Sequence, residues 1–205
     1  MSQTKIKAGG FDVDVITGTT ALAEAPASTD EFLISDGGVL KRLDASHIGG
    51  DNTPAFHVYR SSAQTGLSNG TNTKIQFNAE FLDTDNAFDS SSNYRFTPQT
   101  AGKYFFYLQV LLSSAANNDN IEYCYSEIKK NGSPITFAML DYRSSRAGRK
   151  MTILNHIIVD MNGSSDYVEG WGELSTNVTG DNQFGGHANG SETFFGGYKL
   201  ITWVI

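Results

Sequence analysis

Residues 92–110 read SNYRFTPQTAGKYFFYLQV, and the second half of this stretch decides the fold. From Gly102 onward the side chains alternate as in a strand, yet both faces are apolar. Tyr104, Phe106, Leu108 and Val110 line one side. Phe105, Tyr107 and Leu111 line the other, with Gln109 among them. A half-buried strand alternates apolar with polar residues. This one predicts burial on both sides, so the second face needs a cover of its own.

Working outward, the pattern from residue 54 is strand after strand. Candidate strands span 55–61, 73–78, 94–97, 102–113, 120–130, 134–141, 150–161, 166–174 and 193–204. No long amphipathic helix interrupts them, and strands at this spacing indicate an all-β sandwich or jelly roll. Composition agrees: 21 glycines against 4 prolines suit a protein of many turns. Five Asn-x-Ser/Thr sequences occur, at Asn69, Asn131, Asn162, Asn177 and Asn189. Four are Asn-Gly pairs, which read as turns before they read as glycosylation sites. At 205 residues there is room for one sizeable domain and an appendage. The net charge of −7 argues against a broad nucleic-acid or anionic-membrane surface. One cysteine, Cys124, excludes an intrachain disulfide. The opening residues MSQTKIKAGGFDVDVI contain no apolar run of signal-core length, and no run approaches a membrane span. The expectation is synthesis in a cytoplasm, with no membrane insertion.

Residues 1–50 differ in character. Residues 11–15 alternate like a short strand, and GTTALAEAPASTD reads as linker. FLISDGGVLKRL places Asp-Gly-Gly between two apolar runs, a hairpin signal. Residues 44–48 read as a single capped turn, and GGDNTP as a boundary. The segment has too few large apolar side chains for a core, which predicts docking on another copy or another protein.

Phe96-Thr97-Pro98 followed by Gly102-Lys103-Tyr104-Phe105-Phe106 resembles a signature of complement C1q globular heads. Lys129-Lys130-Asn131-Gly132 and the closing Phe195-Gly196-Gly197-Tyr198-Lys199-Leu200 resemble two further motifs of that family, in the same order. The resemblance covers roughly residues 54–205. One departure is the two extra residues in Asn162-Gly163-Ser164-Ser165-Asp166-Tyr167-Val168, where the family has a shorter opening to a late strand. The family shares its jelly roll with tumour necrosis factor ligands and is characteristically trimeric. The resemblance therefore implies that Phe105, Tyr107, Gln109 and Phe195 face a threefold axis. Tyr104, Phe106, Leu108, Gly197 and Leu200 are expected in the protomer core. Residues 30–48, DEFLISDGGVLKRLDASHI, are similar to short modules of tailed-phage fibre and virion proteins.

Candidate chemistry is sparse. Asp83, Asp85 and Asp89 alternate as calcium ligands do, but no Glu closes the loop. His57 and His156 fall in strands, and a single His156 repeated about a threefold axis is a weak zinc or nickel candidate. His47 and His187 read as solvated. Arg143, Arg146, Arg149 and Lys150 form a basic cluster able to grip phosphate or sulfate, and Trp171 offers a flat face to a sugar. The plainer readings are a solvated loop and a core tryptophan. The carboxylate pairs Asp166/Glu169 and Glu169/Glu173 satisfy a glycosidase only in count. No triad order, P-loop or zinc spacing appears.

The sequence thus predicts a non-enzymatic homotrimer with no cofactor. Residues 1–50 are an attachment segment and 54–205 a C1q/TNF-like jelly-roll head. The expected role is a phage virion fibre or adhesin, assembled in the host cytoplasm. Its partners are itself, other virion proteins through residues 1–50, and a host-surface glycan or protein. The alternatives are a capsid decoration or head fibre, and a secreted C1q-like recognition protein.

Overall fold

The computed structural model describes residues 26–27, 29–48, 52–114, 120–143, 148–177 and 181–201. The chain divides into two compact units, Met1–Gly50 and Asp51–Ile205. The short strand expected over 11–15, most of the linker-like stretch and Arg146 lie outside the described residues.

In the first unit, β1 (Glu31–Asp36) and β2 (Val39–Asp44) form an antiparallel hairpin. Gly37 and Gly38 take φ of +60° and +81° at its tip, a conformation other L residues resist. A single 3-10 turn follows, Ala45–His47. Asp44 makes no side-chain cap to it; the Ala45 N–H instead bonds the Asp30 carbonyl. Phe32, Leu33, Val39 and Leu40 are all exposed. Leu33 pairs with Arg42 and Phe32 with Leu43, so apolar side chains project from both faces of the ribbon. An isolated two-stranded hairpin is marginal in water, and none of the described residues of this unit has a buried apolar side chain.

The second unit is a two-sheet sandwich. Its spine is β9 (Gly102–Ser114). Along one side of β9 runs β12 (Lys150–Met161), paired from Gly102↔Met161 to Ser113↔Lys150. The other side is shared. β15 (Phe194–Lys199) covers residues 104–109, and β14 (Asn182–Phe184) covers 112–114. β3 (Ala55–Tyr59) and β6 (Ala79–Asp83) extend the sheet beyond β15, and β4 (Gln64–Leu67) extends it beyond β14. In the second sheet the order is β11 (Ser133–Asp141), β10 (Ile121–Lys130), β13 (Val168–Thr176), β8 (Arg95–Phe96) and β7 (Phe88–Asp89), with β5 (Thr73–Lys74) also on β13.

Tyr104, Phe106, Leu108, Val110 and Leu112 of β9 are fully buried between the sheets. Phe56 stacks on Phe96 at 4.2 Å and meets Phe195 edge-on at 5.0 Å. Offset and edge-on contacts are the favourable arrangements of aromatic rings. Gly170 and Gly172 of β13 lie under Phe77, Leu108 and Phe184, so that sheet contributes backbone where the other contributes rings. Asn155 points inward from β12 and donates to the Ser126 carbonyl (2.6 Å) and hydroxyl (2.8 Å), tying the two sheets by a satisfied polar bridge.

Two expectations are corrected, one by strand phase and one by where the last strand ends. Phe195 is fully buried in the protomer core, not on an outer face. β15 runs Phe194 out, Phe195 in, because Phe195 pairs with the inward Leu108 and Phe194 with Gln109. Leu200 lies beyond the end of β15 and is only half-buried; its N–H bonds the Lys103 carbonyl at 2.7 Å. The two extra residues before β13 form a closed turn. Asn162 Oδ1 accepts the N–H groups of Ser164, Ser165 and Asp166, and Gly163 lies where a Cβ would strike the Ala101 nitrogen.

Candidate interaction surfaces

The outward face of the seven-stranded sheet is built by alternation. β9 contributes Phe105, Tyr107 and Gln109. In register beside them β12 contributes Ile158, His156 and Leu154, and β15 contributes Tyr198, Gly196 and Phe194. β3 adds His57 and Tyr59, and β6 adds Phe81 and Leu82. Leu154 and Ile158 are each 57 % exposed and Phe81 59 %. A contiguous apolar sheet face of this kind is an interaction surface or an aggregation liability. The side of β12 that sequence alternation alone left open is thereby set: His156 shares the face with Phe105, ring centres 6.1 Å apart.

At the middle of the face Gly196 has no side chain, and Tyr107 lies across it. A Cβ at Gly196 would come within 2.3 Å of the Tyr107 Cζ and Oη. The phenol thereby reaches His57, its oxygen 2.8 Å from Nδ1. His57 also stacks on Phe194 at 5.3 Å and contacts Phe81 at 5.4 Å. Burial among these rings holds the imidazole below its ordinary pKa. Burial, and then neighbouring Tyr198, raises the Tyr107 phenol. Both groups are neutral near pH 7 and share one hydrogen bond. Gln109 lies on the same face but spends its amide within the protomer, donating to the carbonyls of Ser191 (3.2 Å) and Glu192 (3.1 Å).

The sandwich is polar end to end. The second unit begins its first strand at Ala55, which lies beside Tyr198 at the same end as Gly102 and Met161. At the opposite end Ser113 pairs with Lys150, Tyr123 with Asp141, Ile121 with Thr176 and Asn182 with Ser114. The strand ends Ser114, Ile121, Asp141, Lys150, Thr176 and Asn182 all lie at that far end. Asn69 braces it, accepting from the Thr176 N–H at 2.7 Å and from Asn182 Nδ2 at 3.0 Å. Arg143, Arg149 and Lys150 are exposed there. Arg143, however, is bound to Asp141 through Nε at 2.9 Å to both oxygens, and this pairing holds the Asp141 carboxyl down at about 2. Its charge is locally neutralised, which weakens the expected anion grip.

Trp171 lies on the outer face of the other sheet, half-buried rather than in the core. Its indole N–H donates to Glu169 at 3.1 Å, and the Lys129 ammonium sits 3.9 Å from the ring centre. A face already engaged by a cation is a poor platform for a sugar. Around it Glu169 pairs with Lys74, and Glu173 accepts the hydroxyls of Tyr123 (2.8 Å) and Tyr125. Asp166 bonds Lys130 and Asn131 at 2.8 Å each. Each candidate acid is thus committed to structure. Asp83 and Asp89 are likewise spent on backbone turns, Asp83 on Ala87 and Phe88 and Asp89 on Ser91, Ser92 and Asn93. His187 bonds Asn189 locally at 2.7 Å. The Cys124 thiol is buried and pushed up to about 12, the setting of an inert cysteine. Among the described residues no cleft or cavity is found. The sequence missed Phe194, Phe81 and the β12 residues Leu154 and Ile158 as surface members. Phe194 was recoverable from alternation once Phe195 was phased inward; Phe81 was not, because β3 and β6 slip register between His57 and Val58.

The strand order and sheet pairing define an all-β, two-sheet jelly-roll sandwich, and solved structures with a TNF-like jelly roll match it. Among solved structures, the chain is similar to murine APRIL, solved at pH 5.0, with a TM-score of 0.51 at 12% identity over 71% of this chain and 98% of that one. It is similar also to the Eiger TNF of S. frugiperda, with a TM-score of 0.50 at 9% identity over 74% of this chain and 94% of that one. At such identities the likeness is one of fold. No protein-family model and no curated protein matches the chain.

Proposed function

We propose that this protein is a non-enzymatic, homotrimeric structural protein of a tailed-phage virion, a fibre-type protein whose jelly-roll head binds a host-surface glycan or protein. The observation that carries the trimer is the aromatic sheet face centred on Tyr107. Its apolar side chains are paired along the sheet but have nothing over them among the described residues of the second unit itself. Burying the remaining exposed area of Phe105, Tyr107, Ile158 and Leu154 between copies would contribute roughly 1 kcal/mol each, less than the full-burial value because each is already partly covered. The end-to-end polarity supports display. The first strand of the second unit begins at one pole, and the strand ends Ser114, Ile121, Asp141, Lys150, Thr176 and Asn182 lie at the other, a pole that a trimer would present three times with gain in avidity. The two-faced hairpin of residues 31–44 supports attachment to other virion proteins through residues 1–50.

A second reading, an architectural capsid decoration or head fibre, is favoured by the pairing of Arg143 with Asp141, which takes one cation out of the anion grip expected at the far pole. Multi-angle light scattering of the full chain tests the assembly; the expected mass is three chains, and a single-chain mass rejects it. Labelled microscopy of particles then separates tail from capsid. Host adsorption unaffected by deleting the protein selects decoration.

A further inference from the structure

Lys129, Asn72 and Glu127 meet on the outer face of the second sheet, away from the aromatic face. Asn72 belongs to the turn between β4 and β5, and Glu127 and Lys129 project from β10 at alternate positions. The Asn72 amide nitrogen donates to Glu127 Oε2 at 2.9 Å and to the Tyr125 hydroxyl at 3.1 Å. These two bonds turn its carbonyl oxygen toward Lys129, whose Nζ is 3.4 Å away. Lys129 Nζ is also 3.4 Å from Glu127 Oε2. Glu127 is 8 % exposed, and the Trp171 ring closes the site at 3.9 Å from the ammonium. An amine, a carboxamide and a carboxylate that touches both are thus enclosed against aromatic walls.

We propose that Lys129 and Asn72 join through an intramolecular isopeptide bond, with Glu127 carrying the protons between them. Glu127 takes a proton from the Lys129 ammonium and frees the amine. Nζ attacks the Asn72 carboxamide carbon, and the C–Nδ2 bond breaks. Glu127 passes the protons released by Nζ to Nδ2, the nitrogen it already contacts. Ammonium leaves and Glu127 returns to carboxylate, so charge and protons balance and no oxidant or cofactor enters. Holding nucleophile and electrophile side by side supplies what the reaction lacks in solution. A chain with a single cysteine has no disulfide available, and this link would close a loop across residues 72–129. Cross-links that close long loops restrict the unfolded chain most.

Intact-mass spectrometry of the purified full-length chain decides it. The expected mass is lower than the sequence mass by one ammonia, and proteolysis yields a branched peptide joining Asn72 to Lys129. Asn-Gly sites can lose ammonia as succinimides, so the sample is also treated with hydroxylamine, which opens those and leaves the isopeptide. Lys129→Arg and Glu127→Gln should show the full mass with unchanged β-sheet circular dichroism. Asn72→Asp should lose water in place of ammonia. A full mass for the native chain overturns the proposal, as does a loss that hydroxylamine reverses or that survives in Lys129→Arg.

Discussion

Gly196 and Gly197 sit on opposite faces of β15, and each makes room for a different ring. On the outside, Gly196 lets Tyr107 lie flat and reach His57. On the inside, a Cβ at Gly197 would stand 2.3 Å from Phe106 Cδ1 and 2.8 Å from the Phe105 carbonyl oxygen. Backbone cannot retreat as a side-chain tip can. Gly197→Ala should therefore destabilise the unit by about 1–3 kcal/mol, read by chemical denaturation. Gly196→Ala should cost the isolated fold less, while displacing the Tyr107 ring and breaking its bond to His57, visible as a shifted His57 resonance in NMR. Phe195→Ala, which empties a site walled by Phe56, Phe77 and Phe106, should cost about 3–5 kcal/mol. An axis residue would instead lower assembly with little loss of protomer stability. The expectation that placed Phe195 outward failed by one residue: in Phe194-Phe195 both rings suit either face, and only pairing with β9 sets the phase.

At the scale of elements, the long strands were legible and the short ones were not. β9, β10 and β12 each run for ten or more residues with apolar alternation, and their pairing follows from it. β7, β8 and β5 are two-residue strands held by a neighbour's ladder, with no periodicity of their own. The Asn131-Gly132 turn was legible because both residues take positive φ, 51° and 79°, as a two-residue hairpin loop demands. The acid-rich stretch 83–89 was less so. Its alternating carboxylates suggest a cation, yet Asp89 is held far below the usual carboxylate range by the N–H groups of Ser92 and Ser91. A carboxyl with a depressed folded pKa stabilises above its unfolded value, about 3.9, and the contribution disappears as pH falls through the folded value. Asp89→Ala should be less stable than the parent at pH 7, and the gap in denaturation midpoint should narrow as the pH drops below about 4. The sheet face offers the companion test. Tyr107→Asp places a carboxylate in the middle of an aromatic surface, and light scattering should report dissociated chains while circular dichroism retains the β-sheet signal.

For the whole molecule, the same face sets a dependence on pH. Its central imidazole, His57, has Tyr107, Phe81 and Phe194 as its ring contacts, and its pKa lies below 6.5 because burial disfavours the charge. An imidazole depressed in the folded state binds fewer protons than in the unfolded chain between the two pKa values. Stability therefore rises with pH across that window and falls on acidification from about 6.5 downward. Under the proposed assembly, covering this face would deepen the burial and add to the effect, since each copy would have to charge His57 against the rings of its neighbours. The titratable groups brought to this face are otherwise His156, Tyr59, Tyr107 and Tyr198, with the Lys103–Asp160 ion pair (2.8 Å) at its edge. Sedimentation or light scattering between pH 7.5 and 5 should show the assembled mass at the upper end and a growing single-chain fraction at the lower. His57→Gln, which keeps a polar partner for Tyr107 and removes the titration, should flatten that profile. A profile equally steep in His57→Gln shows that His57 is not the group responsible.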